Sequence, residues 1–263
     1  MSSARVYANS ELPIKENSLR LLDVSKDIDF LNTDEYSLTK ARQENVLHSS
    51  EYQNWTIIRP YITYSENRLQ LGTLEKEEWL YRALHGRTIV FSRDIASKIT
   101  TLTYGLEVSQ GILAIIGNSK ALGEEFHITS PVSIIWDDVL EGYLKVLEKY
   151  LGYKPKVLLQ ELDKTIELVS KRSNYQFIYD RMFNRTFDNS KISQYLDTNN
   201  FVDAEDSLNK CLEKFLENPQ FKRINWQQQA QMDKICNEIT PLSEIQGVKQ
   251  KIKYLLFRYI LLI

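Results

Sequence analysis

A tyrosine and a lysine stand four positions apart in the segment TDEYSLTKARQENVL, residues 33 to 47. Residues four apart lie on one face of a helix, so Tyr36 and Lys40 would present a phenol and an ammonium group to the same point. A phenol, with a reference pKa of ~10, is a poor base at neutral pH, but a neighbouring positive charge favours its deprotonated form. The spacing therefore suggests a general acid or base. Because the same spacing is common in helices, an ordinary helical turn is the alternative.

The elements that must position this pair follow an α/β pattern, in which short β-branched runs alternate with longer helical patterns. The predicted strands are residues 54–61, 87–92, 98–103, 124–129 and 155–160, and the predicted helices are residues 35–49, 74–85, 106–116 and 134–151. Thr73 and Ser133 are the expected N-caps, and Gly86, Gly117 and Gly152 follow helix ends. After about residue 170, apolar positions at helical spacing predict a mostly helical region.

Composition excludes several classes of function. The chain has 263 residues, 43% hydrophobic and 26% charged, which is ordinary globular composition. A net charge of -2 and no long run of Lys and Arg argue against a nucleic-acid partner. The three histidines and two cysteines lack metal-ligand spacing, so we expect no metal, free thiols and a reducing cytoplasm. No two of the nine glycines are close enough to form a phosphate-binding loop.

The C-terminal stretch KQKIKYLLFRYILLI places three lysines before an apolar end. It is too short to span a bilayer, which requires ~20 apolar residues. We expect a terminal helix docked on the core, and the alternative is a basic amphipathic helix lying on a membrane surface.

Three pieces of sequence fit one family in order and spacing. The chain begins with SSARVYA, continues with the Tyr36-Ser-Leu-Thr-Lys40 helix, and then has a strand ending in Arg-Pro, within WTIIRPYITYSENRLQLG. Together they resemble the extended short-chain dehydrogenase/reductases, the NAD-dependent epimerase/dehydratase family that works mainly on nucleotide sugars. The segments GEEFHITSPVSIIWDDVLEGYLKVL and FDNSKI resemble later parts of the same family.

The resemblance implies an α/β fold, namely the C-terminal part of a Rossmann-type enzyme with a smaller substrate domain and a helical tail. It covers residues 1–220, a partial epimerase/dehydratase domain, and leaves residues 221–263 as a helical extension. The family's N-terminal half, which carries the Gly-rich loop for the pyrophosphate, has no counterpart in this sequence. A truncated chain is implied, and a missing N-terminal half or a homodimer are the protein partners to expect.

The resemblance also assigns a catalytic set. Ser3 matches the serine that hydrogen-bonds the reacting sugar oxygen, although a polar residue at a strand end is the alternative. Tyr36 matches the base that removes a hydroxyl proton while hydride leaves for the nicotinamide. Lys40 matches the residue that holds the nicotinamide ribose and favours the phenolate.

Further positions follow from the same resemblance. Pro60 and Tyr61 match a stretch whose backbone lies near the nicotinamide, or are a strand end stiffened by proline. Arg68 is a candidate for a nucleotide phosphate, with an exposed loop arginine as the alternative. Asp180 is a candidate substrate contact, because it stands where relatives have the aspartate of an Arg-x-x-Asp segment.

The leading hypothesis is therefore an NAD- or NADP-dependent epimerase, dehydratase or reductase, an oxidoreductase or isomerase that acts on a nucleotide sugar for surface polysaccharide. We expect it in the cytoplasm, or at the inner membrane face if the terminal helix binds membrane. A non-catalytic remnant of the family, or an interaction module with an exposed sheet edge, is the alternative.

Overall fold

A computed structural model describes residues 1–10, 13–161 and 171–260. Its backbone packs into two compact units. Unit 1 contains Met1–Ser65, Lys98–Ile135 and Ile178–Leu208, and unit 2 contains Glu66–Ser97, Trp136–Phe177 and Asn209–Ile263. The predicted division at residue 220 concerns family coverage, not packing, and it stays a prediction.

The strands of the described residues are short. They are β1 (Thr56–Pro60), β2 (Thr63–Tyr64), β3 (Ile89–Ser92), β4 (Ile99–Thr100), β5 (Thr103–Tyr104), β6 (Glu124–Ile128), β7 (Ile134–Ile135) and β8 (Val157–Gln160). Three pairs are parallel, β1 with β6, β2 with β5 and β3 with β8, whereas β4 and β7 are antiparallel.

Helices connect and follow these strands. They are α1 (Leu21–Val24), α2 (Ile28–Leu31), α3 (Tyr36–His48), α4 (Leu80–Leu84), α5 (Arg93–Ala96), α6 (Gly105–Ile115), α7 (Trp136–Leu151), α8 (Lys171–Gln176), α9 (Ala204–Leu216), α10 (Trp226–Cys236) and α11 (Val248–Leu255). Wider turns follow at Phe177–Arg181 and Leu256–Ile260, and single 3-10 turns occur at Ala4–Val6, Ser119–Ala121, Ile192–Gln194 and Thr198–Asn200. Within the three described ranges, no helix combines the length and the apolar character that crossing a bilayer requires.

The core of unit 1 forms where helix α6 packs on the β1–β6 pair. Ile58 of β1 and Phe126 of β6 are paired in register, and both are buried with Val108 of α6. The helix comes close because position 111 is glycine: a Cβ there would lie 2.7 Å from Ile128 Cγ2. This packing fixes β1, which ends at Pro60 and leads into Tyr61, two of the predicted site residues.

Unit 2 has its own core. Trp79 stacks on Tyr143 with ring centroids 4.7 Å apart, and its Nε1 donates to the Leu69 carbonyl at 3.0 Å. A second cluster buries Trp226 and Ala230 of α10 with Tyr254 of α11. Burial of such large side chains is the dominant favourable contribution to folding.

The α/β fold class is confirmed, as are the parallel strands and the helical region after residue 170. The prediction of a single strand at residues 98–103 was wrong, because two strands begin in this segment: β4 pairs with β7, whereas β5 pairs with β2. The predicted helix 74–85 is helical only over Leu80–Leu84, so Thr73 is not its N-cap. Ser133 is not an N-cap either, because β7 intervenes before α7 and the Ser133 hydroxyl hydrogen-bonds Thr101 Oγ1 at 2.9 Å.

Candidate functional site

Tyr36 is the first residue of helix α3. The helix begins there because Glu35 caps it: Glu35 Oε2 accepts from the Ser37 backbone N–H at 2.6 Å and also from the Ser37 hydroxyl. Leu38 and Ala41 are buried and hold the helix on the core. Tyr36 remains 41% exposed, so its phenol is accessible from solvent.

Two cations flank the Tyr36 ring. Lys40 Nζ lies 5.7 Å from the ring centroid, and the Arg5 guanidinium carbon lies 5.2 Å from it. The lysine Nζ also donates to the Met1 carbonyl at 3.1 Å and to Gln43 Oε1 at 3.2 Å. Both cations therefore lie within cation–π distance of the Tyr36 ring.

Ser3 lies in a segment that is hydrogen-bonded to β1 through Ser2 N and the Ile58 carbonyl, 2.8 Å apart. Its side chain caps the turn Ala4–Val6 by accepting from the Arg5 N–H at 3.3 Å. A hydroxyl has two lone pairs and one hydrogen, so this cap leaves the Ser3 O–H able to donate. Arg5 then pairs with Glu35 at 2.5 Å, which joins the turn after Ser3 to the start of the helix that carries Tyr36.

Pro60 ends strand β1, and the side chain of Tyr61 turns into the interior of unit 1, where it is 2% exposed. Its hydroxyl donates to Asp180 Oδ1 at 3.0 Å. Burial, followed by the negative charge of Asp180, raises the pKa of Tyr61, so this phenol stays protonated. Because the Tyr61 side chain is buried, a ligand at the Pro60–Tyr61 stretch would contact the backbone of Tyr61 and not its side chain.

Asp180 is 1% exposed and surrounded by arginines. Arg181 pairs with it directly, Arg185 Nε lies 3.2 Å from Oδ1, and Arg5 Nε lies 3.7 Å from Oδ2. A carboxylate enclosed in this way positions its neighbours and does not face solvent. The predicted substrate contact at Asp180 is thus placed inside an ion-pair cluster.

Arg68 belongs to unit 2, whereas the other predicted site residues belong to unit 1. Its side chain is 47% exposed, and Nη2 lies 3.7 Å from Glu75 Oε1. This geometry matches the exposed loop arginine that the sequence left as the alternative.

Sequence reasoning missed a buried network behind α3. Arg59 of β1 donates to both oxygens of Glu44 at 2.7 and 2.8 Å and to the Tyr7 hydroxyl at 2.7 Å. The same Tyr7 hydroxyl bonds His127 Nε2. Burial works to raise the pKa of Glu44, but the hydrogen bonds and charge of Arg59 outweigh it and hold that pKa below its usual value. The only sequence signal was that Tyr7 and Arg59 lie in two of the motif segments.

Within the described ranges, no three His, Cys, Asp or Glu side chains come together in a way that could hold a metal ion. The groups that the predicted site itself offers are the Ser3 hydroxyl, the Tyr36 phenol and the Lys40 ammonium group.

Solved structures share this architecture. UDP-glucuronic acid 4-epimerase from Bacillus cereus, in complex with NAD, matches with a TM-score of 0.57 at 16% identity, over 82% of this chain and 60% of that chain. The enzyme WbmH from Bordetella bronchiseptica, in complex with NAD+, matches with a TM-score of 0.59 at 12% identity, over 83% and 62%. The dTDP-glucose 4,6-dehydratase DesIV from Streptomyces venezuelae, with NAD bound, matches with a TM-score of 0.55 at 16% identity, over 82% and 59%.

The chain has the fold of the extended short-chain dehydrogenases. The fold expected from the motif resemblance is thus confirmed, and this chain spans about 60% of the length of the extended short-chain dehydrogenases that it matches. No protein-family model and no curated protein matches the sequence itself. The likeness therefore concerns the extended short-chain dehydrogenase fold, and the roles of Ser3, Tyr36 and Lys40 stay predictions.

Proposed function

We propose that this chain carries the catalytic and substrate-binding part of an NAD-dependent enzyme that acts on a nucleotide sugar for surface polysaccharide. One observation supports this most directly: Tyr36 is exposed at the start of α3 beside Lys40, and the Arg5–Glu35 pair joins it to the turn after Ser3. The neighbours with the same fold include a UDP-sugar epimerase and a dTDP-sugar dehydratase.

Each residue has a defined role in this proposal. Ser3 hydrogen-bonds the reacting sugar oxygen, and the Tyr36 hydroxyl exchanges a proton with it. Lys40 binds the nicotinamide ribose hydroxyls and, with Arg5, places positive charge beside the phenol. NAD, when bound, supplies the hydride acceptor.

The residues present fit the nicotinamide end of NAD better than its pyrophosphate. Lys40 and Tyr36 offer an ammonium donor and a phenol on one accessible helix face. For the pyrophosphate, the sequence has no closely spaced glycines, since the nearest two are six positions apart. The proposal therefore includes a glycine-rich segment contributed from outside these 263 residues, by a separate N-terminal half or another chain.

Calorimetric titration with NAD, and separately with NADP, tests the proposal. The chain is titrated alone and after mixing with the glycine-rich N-terminal segment of one of the structural neighbours. We expect saturable binding in at least one of these conditions, and we expect Lys40→Ala to weaken it by roughly tenfold, the loss of one charge-assisted hydrogen bond. Lys145→Ala, which changes an exposed lysine on helix α7, is the matched control.

Two results would count against the proposal. One is a folded chain that binds neither nucleotide in either condition. The other is binding that Lys40→Ala and Lys145→Ala leave equally strong, which would place the nucleotide away from Tyr36 and Lys40. Either result favours the alternative of a non-catalytic relative of these enzymes.

A further inference from the structure

The last described helix, α11, and the turn Leu256–Ile260 form a strongly basic segment. Between Gly247 and Ile260 the sequence has four cations, Lys249, Lys251, Lys253 and Arg258, and no acidic residue. The whole chain, by contrast, carries a net charge of -2. The positive charge is therefore local to this segment.

One face of the segment is docked on unit 2. Tyr254 is fully buried, and its hydroxyl donates to Asp233 Oδ2 at 2.7 Å and accepts from the Thr240 N–H at 2.8 Å. Its ring packs with Trp226, Ala230 and other residues of a buried cluster. The terminal helix is thus held on the core, as the sequence predicted, but through one face only.

The opposite face is apolar and exposed. Val248 is 73% exposed, Ile252 is 52% exposed and Tyr259 is 55% exposed. Leu255 and Leu256 lie between them and are also exposed. Spacings of three and four place these side chains in one stripe along the helix. We call this set, from Val248 to Tyr259, the apolar stripe.

Cations lie beside the apolar stripe. Lys249, Lys251 and Lys253 form no salt bridge with any carboxylate of the described residues. Lys253 and Arg223 also line a surface groove of about 280 Å³, together with Asn225, Trp226 and Gln250. One guanidinium and one ammonium group in a groove next to an apolar surface suit a phosphate that is attached to a lipid.

We propose that the apolar stripe and its lysines dock on an anionic lipid surface. The stripe lies at the boundary between headgroups and acyl chains, and the Arg223–Lys253 groove faces a lipid phosphate. A second copy of the chain is a poorer occupant, because a symmetric contact would bring two sets of four cations together. This surface is independent of the site on α3, so the proposal does not rest on the proposed function.

Vesicle flotation of the full chain tests the proposal. We compare vesicles of phosphatidylcholine alone with vesicles of equal parts phosphatidylcholine and phosphatidylglycerol. We expect the chain to float only with the anionic vesicles, and we expect added salt to release it. Lys249→Gln should weaken binding by about fivefold, since one basic residue near such a surface contributes about that factor.

Two further variants test whether the apolar stripe, and not any exposed apolar side chain, contributes to vesicle binding. Ile252→Ser removes an exposed side chain of the stripe, so we expect loss of flotation with an unchanged helical circular dichroism signal. Leu113→Ser, at a side chain that is 71% exposed on helix α6, is the matched control and should float normally.

Several results would overturn the proposal. They are equal flotation with neutral and anionic vesicles, no flotation with either, and Ile252→Ser floating like the unchanged chain. Release by inorganic phosphate at constant ionic strength would assign the groove to a soluble anion instead. A concentration-dependent dimer that Ile252→Ser dissociates would assign the stripe to a second copy.

Discussion

At the scale of single residues, Arg59 is the side chain that links the exposed pair to the interior. Tyr36, Lys40 and Glu44 lie one turn apart on helix α3, and Glu44, at 1% exposure, is the inner end of that series. Arg59 donates to both carboxylate oxygens of Glu44 and to the Tyr7 hydroxyl. Because breaking such a buried pair leaves an uncompensated charge, the Arg59–Glu44 pair anchors helix α3 on strand β1.

His127, at the other end of this network, predicts an acid sensitivity. It is fully buried, and burial followed by the positive charge of Arg59 lowers its pKa to about 3. An unfolded histidine has a pKa of about 6.5, so between these two values the unfolded chain binds a proton that the folded chain does not. Stability contributed by the neutral His127 is therefore present above about pH 6.5 and is lost as the pH falls towards 3.

The test is denaturant unfolding of the wild-type chain and His127→Asn at about pH 7.5 and about pH 5. Between about pH 7.5 and about pH 5 we expect the free energy of unfolding to fall by up to about 2 kcal/mol more in the wild-type chain than in the variant. The reason is that one proton bound only by the unfolded chain contributes about 1.4 kcal/mol per pH unit. Other titrating groups, such as Glu78, whose pKa burial raises to about 7, act equally in both proteins. Equal losses in the two proteins would show that His127 is protonated or exposed in the folded chain.

At the scale of elements, the start of helix α3 depends on one side chain. Glu35 supplies the N-cap and the partner of Arg5, so Glu35→Ala removes both. We expect the free energy of unfolding to fall by about 1 kcal/mol because the cap is lost. We also expect faster hydrogen exchange at the Ser37 amide, which lies beside Tyr36. Glu35→Gln is the matched variant, because it keeps an oxygen for the cap and loses the ion pair.

The outcome of these two variants separates the roles of Glu35. If the Ser37 amide is protected equally in the wild-type chain, Glu35→Gln and Glu35→Ala, another group holds the first turn and Glu35 is not its cap. If only Glu35→Ala loses protection, the cap acts without the Arg5 pair.

The same elements show what the sequence could predict. Helix α3 was expected at residues 35–49 and occupies Tyr36–His48, because its periodicity and ends are local properties. The split of segment 98–103 was not predictable locally: Thr100 pairs with Ile134, whereas Thr103 pairs with Thr63. Which strand a residue pairs with depends on the tertiary fold, and a sequence window does not contain it.

In the candidate site too, local features were predictable from sequence, whereas contacts between distant residues were not. The Tyr36–Lys40 pair was visible because helical spacing alone places two such residues on one face. The Arg59–Tyr7–His127 network was not visible, because Tyr7 and His127 are 120 positions apart in sequence. The burial of Asp180 was missed for the same reason, since its partner Tyr61 is 119 positions away.

At the scale of the molecule, one buried network joins three helices of unit 2. Arg82 of α4 donates to Asp233 Oδ1 of α10 at 2.7 Å, and neither side chain is exposed. Asp233 Oδ2 accepts from the Thr240 and Tyr254 hydroxyls, each at 2.7 Å. The carboxylate of Asp233 therefore holds both α4 and the basic helix α11.

This arrangement predicts that Asp233→Ala destabilises unit 2 by about 3 kcal/mol, because the buried Thr240 and Tyr254 hydroxyls lose their acceptor and Arg82 keeps only Glu238 as a carboxylate partner. Hydrogen exchange should accelerate together in α4, α10 and α11, whose contacts converge on this one carboxylate. Glu213→Ala, at a half-exposed carboxylate that lies 3.7 Å from Lys149, is the matched control and should change stability by less than about 0.5 kcal/mol. If exchange accelerates only in α10, then Tyr254 is held by its packing and not by Asp233. The apolar stripe would in that case keep its position without the buried network.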